Sequence, residues 1–368
     1  MWRSRREKLT CLLQTNGMEA LILNPGPSLV YLTGLHFHLS ERPVVVIFTL
    51  DGRVAAVLPE LETPKLDSLP FEMHGYAYPE DPAEWGQTFH RALHDLGLSS
   101  KSIGVEPRRL RLLEFGFLKD NAPRAEFPDA SGLIASMRVC KDAGEVEALR
   151  RAVRIAQQAL TQALQSFRIG MAEKELSAEL TLQLLRLGSE PEMPFSPIVS
   201  GGPNAANPHA MPSGRKIQSG DLLVIDWGAT VDGYMSDLTR TFAVGRVDAE
   251  CMKIHRVVQE ANAAGRAAAR PGVACGEVDR AARALIEQAG YGSYFTHRTG
   301  HGIGLENHED PFMRGDNPQL METGMVFTVE PGIYLPGRNG VRIEDNVVVT
   351  QAGTDCLSDM PRELTTIS

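Results

Sequence analysis

Four acidic side chains interrupt or end apolar, strand-like runs, and a fold cannot bury them together without a counter-charge. Asp226 closes Leu222-Leu223-Val224-Ile225, and Glu330 closes Met325-Val326-Phe327-Thr328-Val329. Asp237 stands in Tyr234-Met235-Ser236-Asp237-Leu238-Thr239-Arg240-Thr241-Phe242, which reads as a return strand. Glu344 sits among the β-branched residues of 341–349. Gly228 and Gly233 mark a turn between the first two acids, and Gly337 and Gly340 mark one between the second two. The pattern predicts two hairpins, each delivering two carboxylates to one place. Buried like charges repel, and they either take up protons or recruit a cation.

His301, in Gly300-His301-Gly302-Ile303-Gly304, adds a nitrogen donor. The glycines argue for an extended or looped segment that lets backbone approach a crowded centre. Asp226, Asp237, His301, Glu330 and Glu344 together read as one site for two divalent ions. Oxygen-rich ligation with one imidazole suits manganese, cobalt, iron or zinc. Two such ions about 3.5–4 Å apart acidify water and polarise a carbonyl, which is hydrolase chemistry. Glu330 is placed to shuttle a proton, His308 to stabilise an oxyanion, and Arg342 and Tyr334 to hold the carboxylates. Each residue also has a structural reading. Asp226 can flank a turn, Asp237 can pair with Arg240, and Arg342 can pair with Glu344. A phosphate-cradling glycine loop at 300–304 is disfavoured, because no P-loop lysine follows it.

The rest of the chain limits the alternatives. Its 368 residues suggest two domains, and the net charge of −9 gives no electrostatic footprint for nucleic acid or an anionic membrane. No apolar run approaches the roughly 20 residues that span a bilayer. The basic start is followed by spread leucines, Leu9, Leu12 and Leu13, which predict an amphipathic helix in place of a signal peptide. Five scattered cysteines without a Cys-x-x-Cys pair argue for reduced thiols in a cytoplasmic protein.

Strand signals at 20–23, 44–50, 53–58 and 102–105 predict an α/β domain over residues 1–135. Asp51-Gly52 reads as a two-residue hairpin turn. Residues 136–368 open with a helix in which Val146, Leu149, Val153, Ala156, Leu160, Leu164 and Phe167 recur at spacings of three and four. Helices follow over about 172–187, 250–269 and 276–289. The helix pairs repeat: Arg168, Gly170, Ala172, Glu175 and Gly188 match Arg270, Gly272, Ala274, Glu277 and Gly290, always 102 residues on. An internal duplication with the site between its halves explains this spacing.

Several stretches resemble a known family. They are Ser236-Asp237-Leu238-Thr239-Arg240-Thr241-Phe242, Gly300-His301-Gly302-Ile303-Gly304-Leu305 with His308-Glu309, Glu330-Pro331-Gly332-Ile333-Tyr334, and Val341-Arg342-Ile343-Glu344-Asp345. They are similar to the motifs of the Xaa-Pro peptidases, the prolidase and aminopeptidase P family of pita-bread fold. Lys141 and Glu145 match that family's entry helix, and Asn24-Pro25 with Val30-Tyr31-Leu32-Thr33-Gly34-Leu35 resembles its creatinase-type N-terminal domain. The resemblance implies a creatinase/prolidase-type α/β domain over 1–135 and a pita-bread catalytic domain with pseudo-twofold duplication over 136–368. It carries over all five ligands, with Asp237 and Glu344 bridging two ions. His209, in Asn207-Pro208-His209, and His297 and His308 fall at active-site histidines. It also implies an Xaa-Pro dipeptide or peptide substrate and a homodimer. Relatives often carry an arginine four residues after the histidine matching His308, and this chain has Phe312 there, which leaves Arg314 and Arg338 as candidate carboxylate clamps. An Xaa-Pro aminopeptidase is the close alternative. A non-catalytic peptide-binding module is the alternative from another class, although such modules typically lose ligands.

Overall fold

The computed structural model describes residues 2–368. They form two compact units, which divide between Arg138 and Val139. The first opens with α1 (Trp2–Thr15), whose Leu9 and Leu13 are buried as their spacing predicts. Then come β1 (Ala20–Leu23), α2 (Pro27–Thr33), β2 (Val45–Thr49), β3 (Val54–Pro59), β4 (His74–Tyr78), α3 (Pro82–Asp95), β5 (Ile103–Val105), α4 (Leu112–Asn121) and α5 (Ser131–Arg138). The five strands make one mixed sheet in the order β4-β3-β2-β1-β5. Trp85, Phe89 and Leu93 of α3 and Leu118 of α4 belong to one core with Ile22, Ile47, Val57 and Tyr78 of the strands.

The β2–β3 turn differs from the sequence expectation. Thr49 N donates to Arg53 O at 3.0 Å, so the loop has three residues, with Gly52 left-handed at φ 88°. A third residue relieves the twist mismatch that a right-handed two-residue turn would impose.

The second unit begins with α6 (Ala143–Leu164) and α7 (Glu173–Arg186). Asp142 caps α6, accepting from Glu145 N at 2.9 Å while Glu145 accepts from Asp142 N at 2.7 Å. Strands β6 (Ile198–Gly201), β7 (Leu222–Trp227), β8 (Thr230–Val231), β9 (Tyr234–Met235) and β10 (Leu238–Val244) follow. Next are α8 (Ala249–Ala268), α9 (Gly276–Gln288), β11 (Gly300–Gly302), β12 (Glu309–Met313), β13 (Val326–Val329), β14 (Gly332–Leu335), β15 (Asn339–Arg342), β16 (Asp345–Thr350), β17 (Gly353–Cys356) and β18 (Thr365–Ile367). One sheet runs β18-β10-β7-β6 and the other β12-β11-β13-β16-β17.

The two halves share a plan. Each centres on an antiparallel pair, β7:β10 or β13:β16, with β6 or β11 beside the first strand. Each interrupts that pair with a short hairpin, β8–β9 or β14–β15, which is a separate two-stranded sheet. The predicted hairpins are therefore double: the chain leaves one ladder, makes a small second one and returns. The repeated glycines agree. Gly170 and Gly272 have φ of 91° and 78°, and Gly188 and Gly290 have 99° and 87°, so equivalent positions carry the same left-handed backbone. Isolated bridges Ala172↔Lys216 and Ala274↔Leu320 also correspond.

Trp227, fully buried, donates from Nε1 to Ala156 O at 2.7 Å and locks α6 onto β7 beside Asp226. At Gly228 a Cβ would lie 1.9 Å from Ser236 O, so this position allows the strands carrying Asp226 and Asp237 to close on each other. Gly228→Ala is expected to cost about 1–3 kcal/mol of stability through overpacking. Denaturant unfolding checks this, and an unchanged midpoint would contradict the close approach.

Candidate metal centre

Each acid occupies a point where backbone geometry leaves it little freedom. Asp226, in β7, lies opposite Thr239 of β10. Asp237 precedes β10, and its backbone is clamped by Asn346: Asp237 N donates to Asn346 Oδ1 at 3.1 Å, and Asn346 Nδ2 donates to Asp237 O at 2.7 Å. Glu344 precedes β16, and its N–H donates to Thr239 O at 3.1 Å, joining the two sheets. Glu330 follows β13, its N–H donating to Thr299 O at 2.7 Å. His301, in β11, donates its backbone N–H to Thr328 Oγ1 at 3.1 Å.

The five side chains converge. Ligand atoms of Asp226, Asp237 and Glu344 lie within 4.8 Å of one another, as do those of His301, Glu330 and Glu344. Glu344 is common to both groups. A third group joins Asp237 and His301 to His308, an exposed residue that sequence reasoning had placed outside the ligand set. Asp226, Asp237, His301 and Glu344 are buried, and Glu330 is partly so.

Positive charge does not balance this cluster. Arg342 donates from Nη2 to Asp226 Oδ2 at 2.6 Å, so its partner is Asp226 and not Glu344. Its Nε donates to Thr239 Oγ1 at 3.1 Å, and Thr239 passes the contact on, donating to Glu344 Oε2 at 2.7 Å. Arg240 bonds Asp345 at 2.8 Å and does not pair with Asp237. Burial, then repulsion by neighbouring carboxylates, pushes Asp237 and Glu344 well above the usual carboxylate range. Burial also lifts Glu330, to about 7, although the Arg342 charge opposes the rise.

The donor set fits divalent cations. Asp226 Oδ1, Asp237 Oδ1 and Glu344 Oε1 are buried and have no hydrogen-bond partner among the described residues. Such oxygens cost free energy unless something positive meets them. His301 Nδ1 lies 3.1 Å from Gly302 O, an acceptor only, so Nδ1 carries the proton and Nε2 keeps its lone pair. That lone pair faces Glu330 Oε1 at 3.4 Å and Asp237 Oδ2 at 3.7 Å, a repulsive arrangement unless a proton or a cation lies among them.

The remaining candidate residues flank the cluster. His297 Nδ1 meets Arg298 O at 2.7 Å and must donate there, leaving Nε2 to accept from the Tyr334 hydroxyl at 2.9 Å. Tyr334 in turn accepts from Arg342 Nη1 at 3.0 Å. Burial, and then the Arg342 charge, holds His297 down at about 4, in keeping with a neutral ring. His308 packs on His301 with ring centroids 3.9 Å apart, and lost solvation followed by the Arg298 charge lowers its pKa. His209 is exposed on the loop after β6. That loop is tied to buried Glu173, which accepts from Gly201 N at 2.9 Å, Asn204 Nδ2 at 3.0 Å and Ser213 Oγ at 2.6 Å.

This geometry agrees with comparisons to known proteins. Residues 147–351 match the model of metallopeptidase family M24, and residues 5–140 match the creatinase/prolidase N-terminal domain. The chain belongs to metallopeptidase family M24. It is 34% identical over 362 residues to an Xaa-Pro dipeptidase of Lactobacillus delbrueckii subsp. lactis, covering 97% of each chain. It is 32% identical over 363 residues to an Xaa-Pro dipeptidase of Pyrococcus horikoshii, again covering 97% of each. A crystal structure of recombinant prolidase from Thermococcus sibiricus superposes with a TM-score of 0.94 at 32% identity, covering 100% of this chain and 99% of the other. The fold is thus a pita-bread domain preceded by a creatinase-type domain, and the protein is a metallopeptidase whose family implies a divalent metal cofactor. Among the described residues, no helix is long and apolar enough to cross a membrane.

Several supports in this M24 peptidase escaped sequence reasoning. Thr239, Thr328 and Asn346 bond the acids or their backbone from behind, and Thr328 Oγ1 donates to Glu330 Oε1 at 3.3 Å. Alternation was the available signal, since Thr239 and Thr328 stand two residues from Asp237 and Glu330 and so share their faces. Lys141 Nζ forms a buried ion pair with Glu309 Oε1 at 2.6 Å, anchoring the strand that follows His308.

The raised acid pKa values carry a sign for stability. A carboxyl whose pKa is higher in the fold than in the unfolded chain favours folding while protonated, so that contribution falls as pH rises between the two values. For Glu330 the window runs from 4.5 to about 7. Chelator-treated protein is therefore expected to lose stability across this window relative to metal-loaded protein. The gap in Tm between the two should widen with pH, as thermal scans with EDTA or manganese would record. A gap that is constant or narrows would show that the acids are not destabilised as described.

Proposed function

We propose that this metallopeptidase is a dinuclear Xaa-Pro dipeptidase, hydrolysing the bond between an N-terminal residue and proline. The observation that carries the reading is the trio of buried carboxylate oxygens without a donor, on Asp226, Asp237 and Glu344, with Glu344 also grouped with His301 and Glu330. Asp226, Asp237, His301, Glu330 and Glu344 would hold two divalent ions, and the sharing of Glu344 between two ligand groups supports a bridging role for it. When bound, such ions supply Lewis-acid polarisation of the scissile carbonyl and lower the pKa of the attacking water. Asp237, its backbone clamped by Asn346, would be a second shared ligand, since it too belongs to two ligand groups.

Glu330 takes the proton from that water and delivers it to the departing proline nitrogen, a secondary amine that cannot leave as an anion. His308, exposed and packed on His301, donates to the carbonyl oxygen as charge develops there. Arg342, Tyr334 and His297 form a directional relay that fixes Asp226. His209 contributes a substrate contact from the loop that Glu173 restrains. The named activities of the relatives support Xaa-Pro substrates. Phe312, standing where relatives often carry an arginine, keeps Xaa-Pro aminopeptidase as the second reading.

Hydrolysis of Xaa-Pro and Xaa-Pro-Yaa by one metal-analysed preparation tests the proposal. Two metal equivalents with preferential cleavage of the dipeptide are expected. Preference for the tripeptide selects the aminopeptidase reading, and absence of metal would remove the dinuclear one. Asp237→Asn should abolish turnover while circular dichroism shows the fold retained, and full activity at full metal content would refute its role. Arg342→Ala is expected to lower kcat about 10–100-fold, the range for loss of a group that orients a metal ligand. A rise in KM with unchanged kcat would instead make Arg342 a substrate contact.

A further inference from the structure

Arg298 is a cation beside the acidic cluster that the fold leaves uncommitted. Its backbone is fixed on both sides: His297 O accepts from Arg283 Nη2 at 2.7 Å, Arg298 O accepts from His297 Nδ1 at 2.7 Å, and Thr299 N donates to Asp279 Oδ1 at 3.0 Å. Its guanidinium lies over the Phe312 ring, 4.4 Å from the centroid. Phe312 is the cross-strand partner of His301, so both side chains stand on the same face of the β11–β12 pair. The Arg298 charge acts on Glu330, His301 and His308. Yet the guanidinium makes no hydrogen bond or ion pair among the described residues.

The other candidate cations are already paired. Arg314 is exposed and bonded to Asp316, and Arg338 is exposed and paired with Glu250 and Asp248, which removes both as clamps. Arg342 is held by Asp226, Tyr334 and Thr239. Arg283 is paired with Asp279 at 3.0 Å and Lys141 with Glu309 at 2.6 Å.

We propose that Arg298 receives the free carboxylate of the residue released by cleavage and thereby selects dipeptides. This inference rests on the Xaa-Pro dipeptidase reading and names the residue that sets its substrate length. In a dipeptide the terminal carboxylate begins one residue past the scissile carbonyl, within about 4 Å along the chain. A carbonyl held at the acidic cluster brings that carboxylate beside a cation adjacent to Glu330 and His301. A longer peptide presents a neutral amide at the same place. Phe312 covers one face of the guanidinium and fixes its plane, leaving the edge N–H groups to bind a carboxylate in parallel. The ring at position 312 thus orients an arginine supplied from β11's approach segment.

Arg298→Met tests the assignment, because methionine keeps an apolar contact with Phe312 and removes the charge. In metal-loaded protein, kcat/KM for Ala-Pro is expected to fall roughly ten- to a hundredfold, the range for losing a hydrogen bond to a charged group. The loss should appear mainly in KM and fall more heavily on Ala-Pro than on Ala-Pro amide, with metal content unchanged. Calorimetric titration with proline reads the same contact without turnover and should show weaker binding in the variant. Arg298→Lys is expected to recover part of the loss. Arg298→Gln provides a second uncharged variant should Arg298→Met fold poorly. Equal losses on Ala-Pro and its amide, or an unchanged ratio between them, overturn the assignment while the dipeptidase reading stands. A metal-loaded wild-type protein that cleaves neither substrate overturns that reading and the assignment with it.

Discussion

Repulsion among four buried or half-buried carboxylates is the interaction on which the catalytic unit is organised. Arg342 offers the cluster one directly bonded positive charge, and it is spent on Asp226. Thr239, Thr328 and Asn346 supply the neutral support, and they approach from the sheet side. Asp226 Oδ1, Asp237 Oδ1 and Glu344 Oε1 are left without donors among the described residues. Folding such a group without cations raises the energy of a marginally stable chain by desolvation and by mutual repulsion. The proteins of this family resolve that conflict with divalent metal, and here the same conflict makes the site recognisable from its electrostatics alone.

Duplication explains how so strained a cluster is assembled from ordinary parts. Each half brings an antiparallel strand pair interrupted by a short second ladder, and the acids lie at or next to the points where the chain changes ladders. At those points side chains need not alternate between core and solvent, so a carboxylate can point inward without breaking an apolar face. The halves meet where Glu344 N bonds Thr239 O, bringing one acid of the second half against the strand that follows Asp237. The halves have since diverged. The second supplies the imidazole, Arg342 and Tyr334, while the first supplies the loop of His209, tied down by Glu173.

Much of this was legible before any coordinates. Helix α6 follows from spacings of three and four, α7, α8 and α9 fall close to the ranges expected after it, and β1, β2, β3 and β5 follow from short apolar runs. The weaker elements were not legible. β4 has two exposed residues at its start, β8 and β9 have two residues each, and β18 is largely exposed, so their hydrophobic signal is too small to separate from loop. The three-residue β2–β3 loop was misjudged because Asp-Gly serves turns of more than one length, and only the Thr49–Arg53 register distinguishes them.

The sequence by itself determined the donor chemistry of the candidate site: four carboxylates and one imidazole in or beside strands, a gathering whose charge calls for protons or cations. Those facts are local, set by residue type and by apolar pattern. Partnership was decided by the tertiary structure, because it depends on which side chains arrive together from distant segments. Arg342 reaches Asp226 across 116 positions of sequence, although Glu344 lies two residues away. Neighbours in a strand that are one or three apart face opposite ways, and those two apart compete for space along one face. Whether they bond each other or a residue from another strand is a matter of three-dimensional packing, which no linear spacing encodes.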